Sequence, residues 1–284
     1  MRPRFTVCGG CHFDRQLHFD TLPRPGRTTP ARQTERVGGV AANVAVQLAA
    51  WKADTRLVGV QPPQSLDALK ARLLEAGVDA QLLPLVGEPP SYTALLGRDG
   101  ELLTGAAAMA LYDRVTAGLL RPALAADTDA VIWDANFPPA AITPLVEAMP
   151  AARRIFAVGT SVAKVGGLSA ILPRLDAIVV NRDEAACLVG AGSPAEMASR
   201  LGTACKGAAV LVSDGADAAV LVAGGAVVTA RPPAIDLVNA NGAGDVMAAR
   251  LFFDLIDDDA MAPQDRIDRA LAAGAAFAAG RDAV

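Results

Sequence analysis

The residues best suited to chemistry in this sequence stand near its C-terminal end, in the run Gly242-Ala243-Gly244-Asp245. An extended segment from Ile235 leads into them, and an amphipathic run from Val246 to Phe253 follows. This order predicts a glycine turn feeding a helix. Glycines let backbone N–H groups approach a ligand closely, and a helix entrance favours negative charge. Asp245 falls in the first helical turn. There a carboxylate is either an N-terminal cap or a base for a hydroxyl that meets an anion at the same amides. The run is neither a GxxxxGK[ST] phosphate loop nor a GxGxxG dinucleotide fingerprint.

Two other constellations invite chemistry. Asn181 and Glu184 lie three apart where a Val/Ile strand meets a helix, so they share one face of the first turn. That spacing is also an ordinary capping box. Cys8-Gly-Gly-Cys11 has the CxxC spacing of redox and zinc sites. A structural zinc needs two further ligands, and the chain has no second CxxC, no HxxxH and only two histidines, His12 and His18. We read these cysteines as small buried residues beside a glycine turn. With two histidines, triad chemistry is also disfavoured.

The elements that must position these residues follow from pattern. Short apolar strands are expected at 5–8, 55–60, 130–133, 154–158, 177–180, 208–212 and 218–222, with 227–229 also extended. Helical runs fall at 44–51, 66–76, 140–149, 182–189 and 195–205. Such alternation indicates an α/β fold with a mainly parallel central sheet covered by helices on both faces. Residues 91–96 and 101–104 flank Gly97-Arg-Asp-Gly100 as a hairpin. We expect one domain over 1–284, with a small β-lid from about 15–37 and 87–105.

Bulk properties narrow the function. The net charge is −4 and aromatics make up 4% of residues, without a basic block, which argues against a nucleic-acid surface. No apolar run reaches the ~18–20 residues of a membrane span. The N-terminus lacks the apolar core of a secretory signal, so a cytoplasmic protein is expected.

Four motifs in order resemble the ribokinase/PfkB family of carbohydrate kinases: Gly38-Gly39-x-x-x-Asn43, Asn181-Arg-Asp-Glu184, Ser213-Asp-Gly215 and Gly242-Ala-Gly-Asp245. They span nearly the whole chain. The resemblance implies a ribokinase-like fold and transfer of the ATP γ-phosphoryl group to a sugar or nucleoside hydroxyl. Asp245 would accept the hydroxyl proton, while the amides of Gly242, Ala243 and Gly244 hold the phosphoryl oxygens. Asn181 and Glu184 would order Mg2+ through water. Ser213, Gly215, Lys164 and Asn241 would lie on the nucleotide side, with Ala273-Gly274-Ala275 making room for adenine. Asp14, Gly38, Gly39, Asn43 and Thr93 would grip the substrate. The family also admits a monovalent cation and a homodimer paired through the lid.

Within the family, four stretches are similar to the pseudouridine kinase branch. They are 91–102, Met109-Ala-Leu-Tyr112-Asp113, and the pair Asp134-Ala-Asn136-Phe and Ser161-Val-Ala-Lys164. The expected reaction is then pseudouridine to its 5′-phosphate. The alternatives are another sugar or nucleoside kinase, such as one for ribose or adenosine, and a non-catalytic nucleoside sensor. Three departures bear on the substrate: Asn239-Ala240 stands where the family often has Asp-Thr, Gly159-Thr160 where the branch has Asp, and Ala108 where it favours Asp.

Overall fold

The computed structural model describes residues 2–98, 100–124, 127–238 and 240–281. Asp99, in the expected hairpin turn, and Asn239, one of the departures, lie outside these. The first half contributes β1 (Arg4–Cys8), β2 (His12–His18), β3 (Arg32–Gly38), α1 (Val40–Ala50), β4 (Asp54–Gln61), α2 (Pro63–Glu75), β5 (Asp79–Pro84), β6 (Ser91–Leu96), β7 (Leu102–Ala108), α3 (Ala117–Leu120) and β8 (Ala130–Asp134). The second half adds α4 (Pro139–Glu147), β9 (Arg154–Val158), α5 (Val162–Val165), β10 (Ala177–Asn181), α6 (Arg182–Val189), α7 (Pro194–Ala204), β11 (Ala209–Ser213), β12 (Ala219–Ala223), β13 (Ala226–Ala230), α8 (Ala243–Asp257) and α9 (Pro263–Ala278).

Nine strands form the main sheet in the order β13-β12-β11-β10-β9-β8-β1-β4-β5. Pairing is parallel from β5 to β11, and β12 and β13 extend it antiparallel. The central strands carry apolar residues at consecutive positions, as in the fully buried Ala130-Val-Ile-Trp133. This is the signature of strands covered on both faces. Each face has its own core. One packs α1, α2, α8 and α9, with Leu48, Leu73, Phe252 and Ile267 buried. The other packs α3 to α7, with Leu120, Leu145, Val165 and Leu201 buried.

A second sheet, in the order β3-β2-β6-β7, rises from the turns after β1 and before α1. It uses the two segments expected to form a lid, but begins at His12 and runs on to Ala108. The β6–β7 hairpin pairs Ser91 with Ala108, and its register shifts between Leu95 and Leu96.

In chain order the sheet grows from β1 to β4 and β5 on one side, then returns to β8 and proceeds outward on the other. The direction of growth therefore reverses between β1 and β8. Open α/β sheets bind ligands outside the carboxyl ends of their strands at such a reversal. The Gly9-Gly10 turn and Asp134 stand at that point.

Candidate active site

Asp134 organises the floor of the site. Its carboxylate is fully buried and accepts hydrogen bonds from the backbone N–H of Gly10 (2.8 Å), Ala41 (3.1 Å) and Asn136 (2.8 Å), and from the Asn136 side chain (2.8 Å). Gly9 has no side chain because a Cβ there would overlap this carboxylate. Asp134 thus supplies, from a neighbouring strand, the anion that the N-terminus of α1 lacks in its own cap, Gly39. Burial pushes the Asp134 carboxyl up, and the hydrogen bonds pull it back.

With its entrance filled by Asp134, α1 presents Asn43 in its next turn. Asn43 Nδ2 donates to Asp245 Oδ2 over 2.7 Å. Asp245 lies in the first turn of α8, whose N-cap is Gly242 in the left-handed conformation, φ 93°. No side chain caps this helix, whereas the nearby α6 is closed by its own capping box. A helix entrance without a side-chain cap is the kind of place that favours an anion. One of the three expected amides is already engaged: Ala243 N–H donates to Ala240 O over 3.2 Å.

The Asp245 carboxyl is pushed up to about 7, first by burial and then by the negative charges of Asp134, Glu184 and Asp14, against the opposing pull of the Asn43 amide. Carboxylates from β2, β8, α6 and α8 thus converge on one region. The raised value suits a group that must take a proton near neutrality. Asn241 and Gly244 are exposed beside it.

Asn181 and Glu184 form a complete capping box: Glu184 N–H donates to Asn181 Oδ1 (2.9 Å), and Asn181 N–H to Glu184 Oε2 (3.0 Å). Glu184 is nonetheless buried, and burial raises its carboxyl while the Asn181 N–H opposes the shift. A Cβ on Gly159 would overlap Glu184, so the glycine at that departure makes room for it. Register pairs Asn181 with Ser213 at the ends of β10 and β11, and Gly215 follows in an exposed left-handed turn, φ 58°.

Among the described residues no group of three or more His, Cys, Asp or Glu side chains stands close enough to hold a metal unaided. A desolvated carboxylate facing other anions still gains from a cation. Mg2+ keeps several waters and takes one or two carboxylates beside substrate phosphates. Glu184 and Asn181 fit that requirement.

Asp14 stands on β2, with Oδ1 3.2 Å from His12 Nε2 and Oδ2 4.0 Å from Arg36 Nε. A Cβ on Gly38 would overlap its carboxylate, and one on Gly39 would overlap the Gly10 carbonyl. Both glycines therefore permit close approach. Thr93 is one residue out of phase: Asp14 aligns with Arg36 and Tyr92, Thr93 with Arg15 and Ala106. Strand alternation turns Thr93 to the face opposite Asp14. Lys164 Nζ donates to Asn136 Oδ1 (3.1 Å) and lies 5.5 Å from the Tyr112 ring centroid, which ties it to the Asp134 network. Gly274 does not open space for a ring. A Cβ there would stand 3.0 Å from the Ala243 carbonyl, so the glycine lets α9 approach the first turn of α8. Sequence reasoning placed Asp134 in a segment similar to the pseudouridine kinase branch but gave it no role; its other signal was a carboxylate ending an otherwise apolar strand.

Residues 6–280 match the family model described as pfkB family carbohydrate kinase. The chain belongs to this family. No curated protein matches the chain. Among solved structures, a carbohydrate kinase from Agrobacterium tumefaciens is similar at 29% identity and TM-score 0.81, covering 97% of this chain and 90% of the other. A ribokinase from Thermotoga maritima matches at 18% identity and TM-score 0.82, over 98% and 93% of the two chains. The Arabidopsis thaliana ribokinase complexed with ribose and ATP matches at 20% identity and TM-score 0.78, over 98% and 93%. The last two establish the shared fold. The chain is thus a pfkB-family carbohydrate kinase with an α/β core and a second small sheet.

Proposed function

We propose that the chain transfers the terminal phosphoryl group of ATP to a hydroxyl of a sugar or nucleoside, with Asp245 as the base. The observation that carries this is the Asp245 carboxylate, held by Asn43 at the uncapped entrance of α8 and raised to about 7. Use of ATP is supported by the Arabidopsis ribokinase, whose structure holds ribose and ATP. The triphosphate would lie across the ends of β10 and β11 near Ser213 and Gly215, with its terminal phosphoryl at the α8 entrance. Backbone donors there would stabilise charge as it develops on the equatorial oxygens. Asp245 takes the hydroxyl proton as that oxygen bonds to phosphorus and ADP departs. Through water, Glu184 and Asn181 would hold Mg2+, which would supply positive charge to neutralise the phosphates. Asp14, Gly38, Gly39 and Asn43 hold the acceptor, and Lys164 stiffens the floor through Asn136 and Asp134.

Pseudouridine is our first choice of acceptor, on the similarity of 91–102, 109–113, 134–137 and 161–164 to that branch. The test is ADP release over pseudouridine, uridine, adenosine, ribose and the phosphates of fructose and tagatose. Turnover of ribose but not pseudouridine would overturn the branch. Calorimetric binding of a nucleoside with no turnover at any Mg2+ concentration would make the protein a sensor.

A further inference from the structure

His12 is buried in β2, at 4% exposure, between two groups that settle where its protons lie. On one side is Tyr112, itself fully buried. A phenolic hydroxyl has one hydrogen and two lone pairs. The Tyr112 oxygen is 2.8 Å from the Cys11 carbonyl oxygen and 2.9 Å from the Cys11 backbone nitrogen. Two oxygens that close repel unless a hydrogen lies between them, so the phenolic hydrogen belongs to the carbonyl. The Cys11 N–H can only donate, and it occupies one lone pair. His12 Nδ1, 3.0 Å away, therefore faces the remaining lone pair and must carry a hydrogen.

On the other side, His12 Nε2 is 3.2 Å from Asp14 Oδ1. This oxygen is buried and has no hydrogen bond within the protein. A bare imidazole lone pair at that distance from a carboxylate oxygen is repulsive. A hydrogen on Nε2 replaces that repulsion with an attraction between opposite charges, although the contact is not an aligned hydrogen bond. The other groups facing the pair leave the assignment unchanged: Arg36 of β3 is 4.0 Å from Asp14 Oδ2, and Gln61 of β4 donates to the Cys11 carbonyl over 2.6 Å.

We infer that His12 is an imidazolium, hydrogen-bearing at both ring nitrogens, and that it is the positioning residue for the Asp14 carboxylate. The ring spans from the Tyr112 anchor to Asp14 and compensates the charge of that carboxylate. The proton placement stands on the geometry alone. Its consequence for the acceptor rests on the reading of Asp14 as a substrate group.

The chain has two histidines, so imidazole 15N spectroscopy on the full-length protein is directly interpretable. Two-bond 1H–15N correlation near pH 7, with H18Q to assign the signals, is expected to show both His12 nitrogens protonated. A bare nitrogen at either position overturns the inference. In kinetics, H12N and H12Q are expected to raise KM for the acceptor about tenfold or more, with kcat within about threefold. An unchanged KM overturns the positioning role. If neither variant folds, the spectrum of H18Q decides alone. If no acceptor is turned over, the kinase reading fails while the spectrum still judges the proton placement.

Discussion

Asp245 is the residue on which the proposed chemistry turns, and its environment makes two expectations that need no knowledge of the substrate's identity. Asp245→Asn keeps the hydrogen bond from Asn43, since the amide oxygen still accepts, but cannot take a proton. Turnover measured by ADP release should fall by about two to four orders of magnitude with the fold intact. Near-normal turnover would remove Asp245 from the mechanism. In the wild type, kcat/KM should fall as pH drops below about 7, because protonated Asp245 is no base. The linkage to stability has the opposite sense. A carboxyl raised on folding contributes stability that is full below its unfolded value and is lost as pH rises through about 7. Asp245→Asn should therefore become progressively more stable than wild type from pH 5 to pH 8, by about 1–3 kcal/mol after discounting for its partial exposure. A stability difference that does not change with pH would contradict the desolvated carboxylate.

At the scale of elements, the site is a meeting of helix entrances with strand ends, and glycines set the clearances. Gly242 turns into α8 at φ 93°, where a side chain would be strained and would also crowd Phe277. Gly242→Ala should cost about 1–2 kcal/mol in denaturant unfolding and lower kcat, whereas an unchanged midpoint would deny the left-handed turn. Gly159→Ala would drive a methyl into Glu184. If Glu184 orders the metal, the Mg2+ concentration for half-maximal rate should rise about tenfold, with little change in KM for the acceptor. The opposite pattern would move Glu184 to the acceptor side. Several of these elements were legible in the sequence. The α6 boundaries at Arg182–Val189 follow from pattern alone, because the Asn181 and Glu184 cap marks the helix start by local chemistry. The antiparallel direction of β12 was not legible, because alternation of apolar residues carries no strand direction.

Over the whole molecule, the sheet centre buries Cys8 and Cys11, and burial pushes Cys8 well up and Cys11 to about 12. Cys205 is buried as well, and Cys187 alone is exposed. Thiol titration should find one fast-reacting group in the native protein and four after unfolding. Fast reaction of Cys8 or Cys11 would revive a redox reading of the CxxC run. No described helix is long and apolar enough to cross a membrane. What the chain's order of residues determined by itself is whatever depends on near neighbours: the glycine turn before Asp245, the capping box, the apolar strands and the hairpin at 91–104. Tertiary structure alone decided what joins distant segments. Only the fold brings Asp134 under the N-terminus of α1, swings Asn43 to Asp245 across 202 positions of sequence, turns Thr93 away from Asp14, and closes Gly274 against α8. The reason is physical: turns and caps are satisfied within a few residues, whereas a buried carboxylate finds its donors wherever the sheet order delivers them.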